Sequence, residues 1–245
     1  MILPVTQIGS LPFDNPIDAV KYSRKHPIPF LPELVVARQE FMLRLIKDPG
    51  KLSCLDEFTK EHFEQVKLQC IGPMALRRWG NYSVKDAMSM IRTYLDTIFE
   101  RVNAEQKILF LDEPGLEFSE IGMGQKLWQE IFGVYHATPG IHNCGPIHFE
   151  AMFRSGVVEI ISFDAFKYKA QAAEVLSRRN GKRIAWGVKS IDDVLDFKPG
   201  DLITPPCGLS FKDMTGTSQI PYTAQECESI YGALIDIAQR LSTKP

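Results

Sequence analysis

Short runs of apolar and β-branched residues alternate along the chain with longer segments whose apolar residues recur at helical spacing. Eight short runs are predicted strands, at residues 5–9, 27–31, 66–72, 107–111, 134–141, 158–163, 183–188 and 201–205. Six longer segments are predicted helices, at residues 32–47, 84–102, 124–133, 147–156, 169–179 and 223–241. Residues 48–62 show no clean periodicity, and we expect irregular or shortened elements there.

This alternation predicts an α/β fold. Eight βα units in a chain of 245 residues match the size of a (β/α)₈ TIM barrel. A doubly wound open sheet is the alternative. Because no Gly/Ser-rich or Pro-rich linker divides the chain and no other repeat is present, we expect one domain over residues 1–245.

A barrel would bring the residues that follow each strand to one mouth, where enzymes of this architecture keep their chemistry. These residues are, in chain order, GSLP, PEL, GPM, DEPG, HNCG, DAF, GVKS and PPCG. They include acidic, imidazole and thiol groups, so the predicted mouth has the composition of a functional site.

The composition narrows the class of partner. A formal net charge of -2 and the absence of long Lys/Arg runs argue against nucleic acid or an anionic membrane as the main partner, which leaves a small molecule.

The first residues, MILPVTQIGSLPF, lack a basic n-region and are broken by proline and glycine, so they do not predict a signal peptide. No apolar run approaches the roughly 20 residues of a membrane span. Five scattered cysteines suit a reducing cytoplasm.

A histidine and a cysteine two residues apart, His142 and Cys144, directly follow the fifth predicted strand. Alternate strand residues share a face, so both side chains can point at one metal ion. Cys207 and Asp164 follow two other strands and could reach the same point. Thiolate, imidazole and carboxylate are the ligands that zinc takes in proteins. The alternatives are a buried thiol at Cys207 and a helix N-cap at Asp164.

The remaining cysteines and histidines lack such a pattern. Packing is the better interpretation of the other three cysteines, and we expect the lone histidines to be structural. The cysteines are Cys54, Cys70 and Cys227, and the histidines are His26, His62, His136 and His148.

Seven short motifs occur in an order and spacing that resemble the C-terminal catalytic barrel of cobalamin-independent methionine synthase, and the related zinc methyltransferases of the uroporphyrinogen decarboxylase-like superfamily. They are TQIGSLP, CIGPMALRRW, FLDEPGL, HNCG, IISFDAF, WGV and PPCGLS. The resemblance covers residues 6 to about 210. Each motif is short, and the ordered set is specific.

The resemblance implies a zinc site formed by His142, Cys144 and Cys207 together with an acidic residue, which is Asp164 here. The methionine synthases normally have Glu at that position. Since Asp is one methylene shorter, Asp164 would bind the metal directly after a small backbone shift or through water.

The resemblance also implies how an amino acid substrate would bind. The IGS loop, Ile8, Gly9 and Ser10, would hold it through backbone and hydroxyl contacts, and Asp112 and Glu33 would pair with its ammonium group. The alternative for the Asp-Glu pair at 112–113 is a capped turn before Pro114. No catalytic residue is expected beyond the zinc site.

Two departures from the methionine synthases affect the methyl donor. Those proteins carry an additional N-terminal barrel that helps to bind folate, and this sequence has no room for it. They also carry a histidine that assists protonation of the folate leaving group, where this chain reads GVKSIDDV. Asp192 or Asp193 could replace it, but an unperturbed Asp holds few protons at pH 7.

The sequence therefore predicts a cytoplasmic, zinc-dependent methyltransferase that moves a methyl group to a thiol. We expect homocysteine as acceptor, giving methionine, and a methylated corrinoid (methylcobamide), free or on a corrinoid protein, as donor. One alternative is another thiol, such as coenzyme M. A second is a zinc- or corrinoid-binding barrel without catalysis, and a third is a metal-independent decarboxylase, which would want basic residues that the mouth motifs lack.

Overall fold

The structure is a computed structural model that describes residues 3–212 and 220–243. Its strands are β1 (Ser10–Leu11), β2 (Glu33–Leu34), β3 (His62–Ile71), β4 (Asn103–Asp112), β5 (Thr138–Asn143), β6 (Ile160–Asp164), β7 (Arg183–Gly187) and β8 (Leu202–Thr204). Its α-helices are α1 (Pro16–Ser23), α2 (Val35–Arg38), α3 (Met42–Leu45), α4 (Leu55–Phe58), α5 (Pro73–Gly80), α6 (Val84–Arg101), α7 (Ile121–Phe132), α8 (Phe149–Phe153), α9 (Lys169–Val175) and α10 (Ala224–Ser242).

Six strands form one parallel sheet in the order β3-β4-β5-β6-β7-β8, which is also their order in the chain. The connections between them carry helices, so the α/β class predicted from the sequence is confirmed. β1 and β2 form a separate two-stranded parallel pair. Single bridges link this N-terminal part to both edges of the large sheet, Val5 to Ile203 in β8 and Phe30 to Lys67 in β3.

The prediction of eight regular strands closed into a barrel is wrong for the first two strands, and the regular sheet is a six-stranded, curled half-barrel. Proline explains part of the difference. The two N-terminal segments contain Pro4, Pro27, Pro29 and Pro32, and proline donates no backbone hydrogen bond to a ladder. Their carbonyls still accept: Ile203 N donates to Pro4 O at 2.7 Å, and Lys67 N donates to Pro29 O at 2.8 Å.

The sheet is buried on both faces. One core cluster packs the outward side chains of the strands against the helices, with Trp128, Trp186 and Phe163 among its largest members. A second, smaller cluster lies on the concave face and contains Ile28, Ile108, Phe110, Ile160, Ala185 and Leu202. Burial on both faces is the reason that these strands read as nearly continuous apolar runs.

The helix predictions agree best with the structure where an N-cap residue and a regular spacing of apolar residues occur together. α6 begins after Ser83, whose side chain accepts a hydrogen bond from Asp86 N, and α10 begins after Thr223 in a capping box. The predicted helix over residues 32–47 is instead the short strand β2 followed by two single turns, α2 and α3, which are separated where Gln39 takes a left-handed conformation with φ 55°. Two helices that the apolar periodicity did not predict, α1 and α5, each start with a proline.

Several strands begin and end at residues that differ from the predicted ones. β5 runs from Thr138 to Asn143 and not over 134–141, because Val134 lies in the turn that ends α7. Residues 48–62 are irregular, as expected, with a 3₁₀ turn at Pro49–Lys51 and the single turn α4. Within the described ranges, no helix combines the length and apolar character required to cross a membrane.

Candidate metal centre

Three predicted metal ligands, His142, Cys144 and Cys207, come together at the carboxyl ends of the strands. The ligand atoms of these three side chains all lie within 4.8 Å of one another. His142 is in β5, Cys144 follows that strand by one residue, and Cys207 follows β8. Alternation along β5 turns both His142 and Cys144 to the concave face, as the sequence pattern predicts. We call these three residues the metal-ligand group.

The imidazole of His142 is held so that one nitrogen faces the group. Its Nδ1 lies 2.9 Å from the hydroxyl Oγ of Ser162, its register partner in β6. Its Nε2 is buried and has no hydrogen-bond partner in the part of the chain that the structure describes. A buried nitrogen without a partner is costly in a folded protein, and a metal ion would satisfy it. The donor set therefore fits a thiophilic metal such as zinc.

The thiols of Cys144 and Cys207 lie within 4.8 Å of each other, and their interaction separates their acidities. The contact with the Cys144 thiol holds the pKa of Cys207 well below its usual range, with a smaller contribution from His142. The same contact, together with burial, raises the pKa of Cys144. One thiol of the group is thus predisposed to be the thiolate that metal binding requires.

Asp164 does not join the metal-ligand group. Its Oδ1 accepts a hydrogen bond from Lys167 N at 2.9 Å, which is the capping role that the sequence left open. The residue still lines the same cavity as the three ligands. Direct or water-mediated ligation by Asp164 stays a prediction.

The metal-ligand group opens into a cavity of about 1020 Å³. Four of the five predicted substrate-binding residues line it: Ile8, Ser10, Glu33 and Asp112. The fifth, Gly9, is connected to the cavity wall through its backbone N–H, which donates a hydrogen bond to Gln69 Oε1 at 2.8 Å. Apolar side chains from three regions form much of the remaining wall: Phe41, Met42 and Leu43, Trp79 of α5, and Ile230, Leu234 and Ile237 of α10.

Three lysines also line the cavity, Lys167, Lys189 and Lys212. The expectation that the mouth lacks basic residues is therefore wrong. Lys189 follows β7 in the GVKS motif, whereas Lys167 and Lys212 lie further from the strand ends. Lys212 is paired with Glu226 at 2.7 Å.

The two carboxylates of DEPG have different environments. Asp112 is buried, lines the cavity, and both of its oxygens lack a hydrogen-bond partner among the described residues. Glu113 accepts hydrogen bonds from Met74 N, Ala75 N and Trp128 Nε1 at 2.7–3.1 Å, and so fixes the start of α5. Glu113 is thus structural, whereas Asp112 is available to a ligand.

Asp112 and Glu33 form the acidic floor of the cavity, and burial shifts both. Burial raises the pKa of Glu33 to about 8, and it raises the pKa of Asp112 as well. A nearby buried cation, Lys67, opposes the shift at both carboxyls, and burial lowers its own pKa to about 8. Few hydrogen-bond donors reach these buried carboxyl groups, so the acidic floor is suited to binding a cationic group of a ligand.

Three residues of the site were not predicted from the sequence: Lys67, Gln69 and Ser162. Lys67 and Gln69 occupy alternate positions of β3 and both are buried. Polar residues at alternate positions of a strand that is otherwise apolar were a usable signal for a polar patch on one face. Nothing in the sequence distinguished Ser162 from an ordinary strand serine.

The aspartates proposed to replace the missing histidine do not line the cavity. Asp193 Oδ2 accepts from Lys189 N at 2.8 Å and from Ser190 N at 3.0 Å, which closes the turn after β7. Asp192 is likewise absent from the cavity wall, to which the same segment contributes Val188 and Lys189.

Cys54, Cys70 and Cys227 are buried in the hydrophobic core, as the sequence predicts. His26 is packed among Tyr22, Phe30 and Tyr231.

In comparisons with known proteins, no family model, no curated protein and no solved structure matches the chain significantly.

Proposed function

We propose that this protein is a zinc-dependent methyltransferase that moves a methyl group to a thiol. Homocysteine is the favoured acceptor, with methionine as product, and a methylated corrinoid is the favoured donor. The observation that carries the proposal is the metal-ligand group, His142, Cys144 and Cys207, at one end of a cavity that also contains the unpartnered carboxylate of Asp112.

The architecture supports this assignment. A six-stranded parallel sheet with an N-terminal strand pair bridged to both of its edges is compatible with an irregular (β/α)₈ barrel, as in the methionine synthase-like superfamily. The metal-ligand group and the acidic floor lie at the carboxyl ends of the strands, the side on which such barrels keep their active sites.

The protein side chains have defined tasks in this scheme. His142 Nε2 and the sulfurs of Cys144 and Cys207 would hold the zinc, and Ser162 orients the imidazole. When bound, zinc supplies deprotonation of the substrate thiol at neutral pH, which gives the nucleophilic thiolate. The two cysteine ligands would donate electron density to the metal and so keep the substrate sulfur nucleophilic, and the apolar side chains of the cavity would limit the access of water.

The acidic floor favours an acceptor that bears an amine. An ammonium group can donate to the carboxyl groups of Asp112 and Glu33, and Ser10 offers a hydroxyl on the wall of the same cavity. Coenzyme M has a sulfonate and no amine, so it offers these carboxyl groups no hydrogen-bond donor. Homocysteine is therefore preferred over other thiols.

In the segment after β7, where the methionine synthases carry their histidine, the described residues place no carboxyl group or imidazole at the cavity wall. Methyltetrahydrofolate must be protonated on its leaving amine, whereas a methylated corrinoid leaves as cobalt(I) without a proton. Asp193 is occupied by two backbone amides, and the cavity wall near it carries Val188 and Lys189. The lysines at the wall suit the anionic groups of a large donor.

The test is methyl transfer by zinc-loaded protein to L-homocysteine, with methylcobalamin and methyltetrahydrofolate compared as donors. We expect methionine from methylcobalamin at a rate far above that from methyltetrahydrofolate. Asp193→Asn should leave the corrinoid reaction unchanged. Efficient turnover with folate alone would reverse the choice of donor while leaving the zinc thiolate assignment standing.

Other outcomes separate the alternatives. Transfer to coenzyme M in preference to homocysteine would reassign the acceptor. Retention of zinc without turnover of any thiol would favour a binding protein. Decarboxylation of a substrate by metal-free protein would contradict the proposal altogether.

A further inference from the structure

Gln69 lies between the two parts of the proposed amino acid site, the IGS loop and the acidic floor. Its Oε1 accepts from Gly9 N at 2.8 Å, and its Nε2 donates to Glu33 Oε1 at 3.1 Å. The side chains of Gln69 and Glu33 are 4% and 3% exposed, so water does not compete for these bonds. One side chain thus connects two elements that are otherwise joined through backbone pairing of β1 and β2.

The orientation of the Gln69 amide is fixed by a buried lysine. Lys67 Nζ donates to Gln69 Oε1 and, at 3.0 Å, to the carbonyl of Gln7. Because two donors, Lys67 Nζ and Gly9 N, converge on Oε1, the amide cannot reverse without placing N–H groups against N–H groups. Its Nε2 is therefore directed to Glu33.

The approach of the loop to Gln69 is close. A Cβ on Gly9 would lie 2.6 Å from Gln69 Nε2 and 3.0 Å from the carbonyl oxygen of Leu31. The hydrogen bond from Gly9 thus requires a residue without a side chain at position 9. The loop, the amide and the carboxylate form one tightly packed unit.

Gln69 is the only side chain that donates a hydrogen bond to Glu33 in the described part of the chain. This bond lowers the pKa of Glu33 against the larger effect of burial, and Lys67 acts in the same direction. Loss of the bond would leave Glu33 free to rotate and harder to ionise. Both changes would weaken its pairing with a cation.

We propose that Gln69, held by Lys67, is the positioning residue that aims Glu33 at the ammonium group of the acceptor. Gln69 itself lines the cavity, but its hydrogen bonds go to the protein. The inference rests on the proposed function only for the identity of the acceptor as an amino acid. The proposal predicts a change in selectivity. Loss of Gln69 should weaken the binding of ligands that carry an amine and should not affect the binding of ligands without one.

The test compares L-homocysteine with 4-mercaptobutyrate, which is the same molecule without the amine, by calorimetric titration of zinc-loaded protein. Gln69→Met removes all three hydrogen bonds of the side chain, those from Gly9 and Lys67 and the one to Glu33, at similar side-chain length. Gln69→Glu keeps an acceptor for Gly9 and Lys67 and removes the donor to Glu33. The matched control is Gln65→Met, on the same strand, whose side chain contacts Gln106 at the surface.

We expect both Gln69 variants to bind L-homocysteine about tenfold or more weakly, the effect of one lost bond to a charged group. Binding of 4-mercaptobutyrate should change by less than about twofold, and Gln65→Met should bind both ligands as the wild type does. Equal weakening of both ligands would indicate a merely structural role and overturn the proposal. Unchanged homocysteine binding would overturn it too.

A second pair of ligands makes the result independent of zinc. L-methionine and 4-(methylthio)butanoate differ only in the amine and carry no free thiol, so they can be titrated into metal-free protein. Preference for L-methionine in the wild type, lost in the Gln69 variants, supports the positioning role even if the protein binds no zinc. Absence of that preference in the wild type overturns the positioning role and leaves the zinc assignment intact.

Discussion

His142 Nδ1 lies 2.9 Å from Ser162 Oγ, across the register of two neighbouring parallel strands. Because metal binding through Nε2 needs a lone pair there, the proton belongs on Nδ1, which then donates to the serine hydroxyl. The strand pairing thus selects both the ring orientation and the tautomer. Asp112 is the register partner of His142 on its other side, so one row of the sheet carries all three groups.

Ser162→Ala should weaken zinc binding by about tenfold or more, the usual effect of removing a partner that orients a histidine ligand. The alanine fills the same backbone position and leaves the metal-ligand group intact. Competition with a chelator of known zinc affinity measures the change.

The control for this variant is Ser155→Ala. Ser155 is buried and its hydroxyl accepts from Val157 N and Val158 N, but it does not line the cavity. Its loss should lower stability and leave zinc affinity unchanged. Equal loss of zinc affinity in the two variants would show that the His142–Ser162 contact has no specific role.

Cys207→Ser should abolish stable zinc binding, because a serine hydroxyl is a poor ligand for zinc and the group then retains two of its three ligands. Elemental analysis after dialysis gives the metal content. Cys227→Ala, a core cysteine in α10, should retain full zinc occupancy. In the wild type, zinc should also protect Cys144 and Cys207 from alkylation, since these two are not buried as the other three cysteines are.

Glu33 predicts a specific pH dependence of stability. Its pKa is raised from 4.5 to about 8 in the folded protein, so between these values the folded state keeps a proton that the unfolded state releases. Stability from this group is therefore complete below about pH 4.5 and is lost as the pH rises to about 8. Glu33→Gln should become progressively more stable than the wild type over this window, by a few kcal/mol at most.

Chemical denaturation of metal-free protein at a series of pH values measures this difference. Asp112, Glu113 and Lys67 titrate in both proteins, so their effects cancel to first order. Glu64→Gln, at an exposed position of β3, should give a curve parallel to that of the wild type. A constant difference between Glu33→Gln and the wild type at all pH values would contradict the raised pKa.

Gly9→Ala should destabilise the protein by roughly 1–3 kcal/mol, because the new Cβ meets both a side chain and a backbone carbonyl that cannot both move. Gly122→Ala in α7 is the matched substitution in open space, with no atom within 4 Å of the added Cβ. It should stabilise by about 0.5–1 kcal/mol through the helix preference of alanine. Thermal unfolding of the two variants should therefore shift in opposite directions.

The sequence determined the features that depend on local periodicity. Alternation along a strand put His142 and Cys144 on one face, and the helical spacing and caps of α6 and α10 located these helices to within a residue or two. The order of the strands in the large sheet follows from parallel βα units, whose neighbours in the chain are neighbours in space.

Tertiary structure decided what local pattern cannot encode. Whether Asp164 reaches the metal-ligand group or caps its own turn depends on competing hydrogen bonds between segments, and so does the division of roles between Asp112 and Glu113. Within the described residues, the proline-rich N-terminal segments pair with the large sheet only at single positions, and that outcome depends on register with strands far away in the sequence. The polar contacts of Gln69 exist for the same reason: they join residues 36 and 60 positions apart, and only the folded chain brings them together.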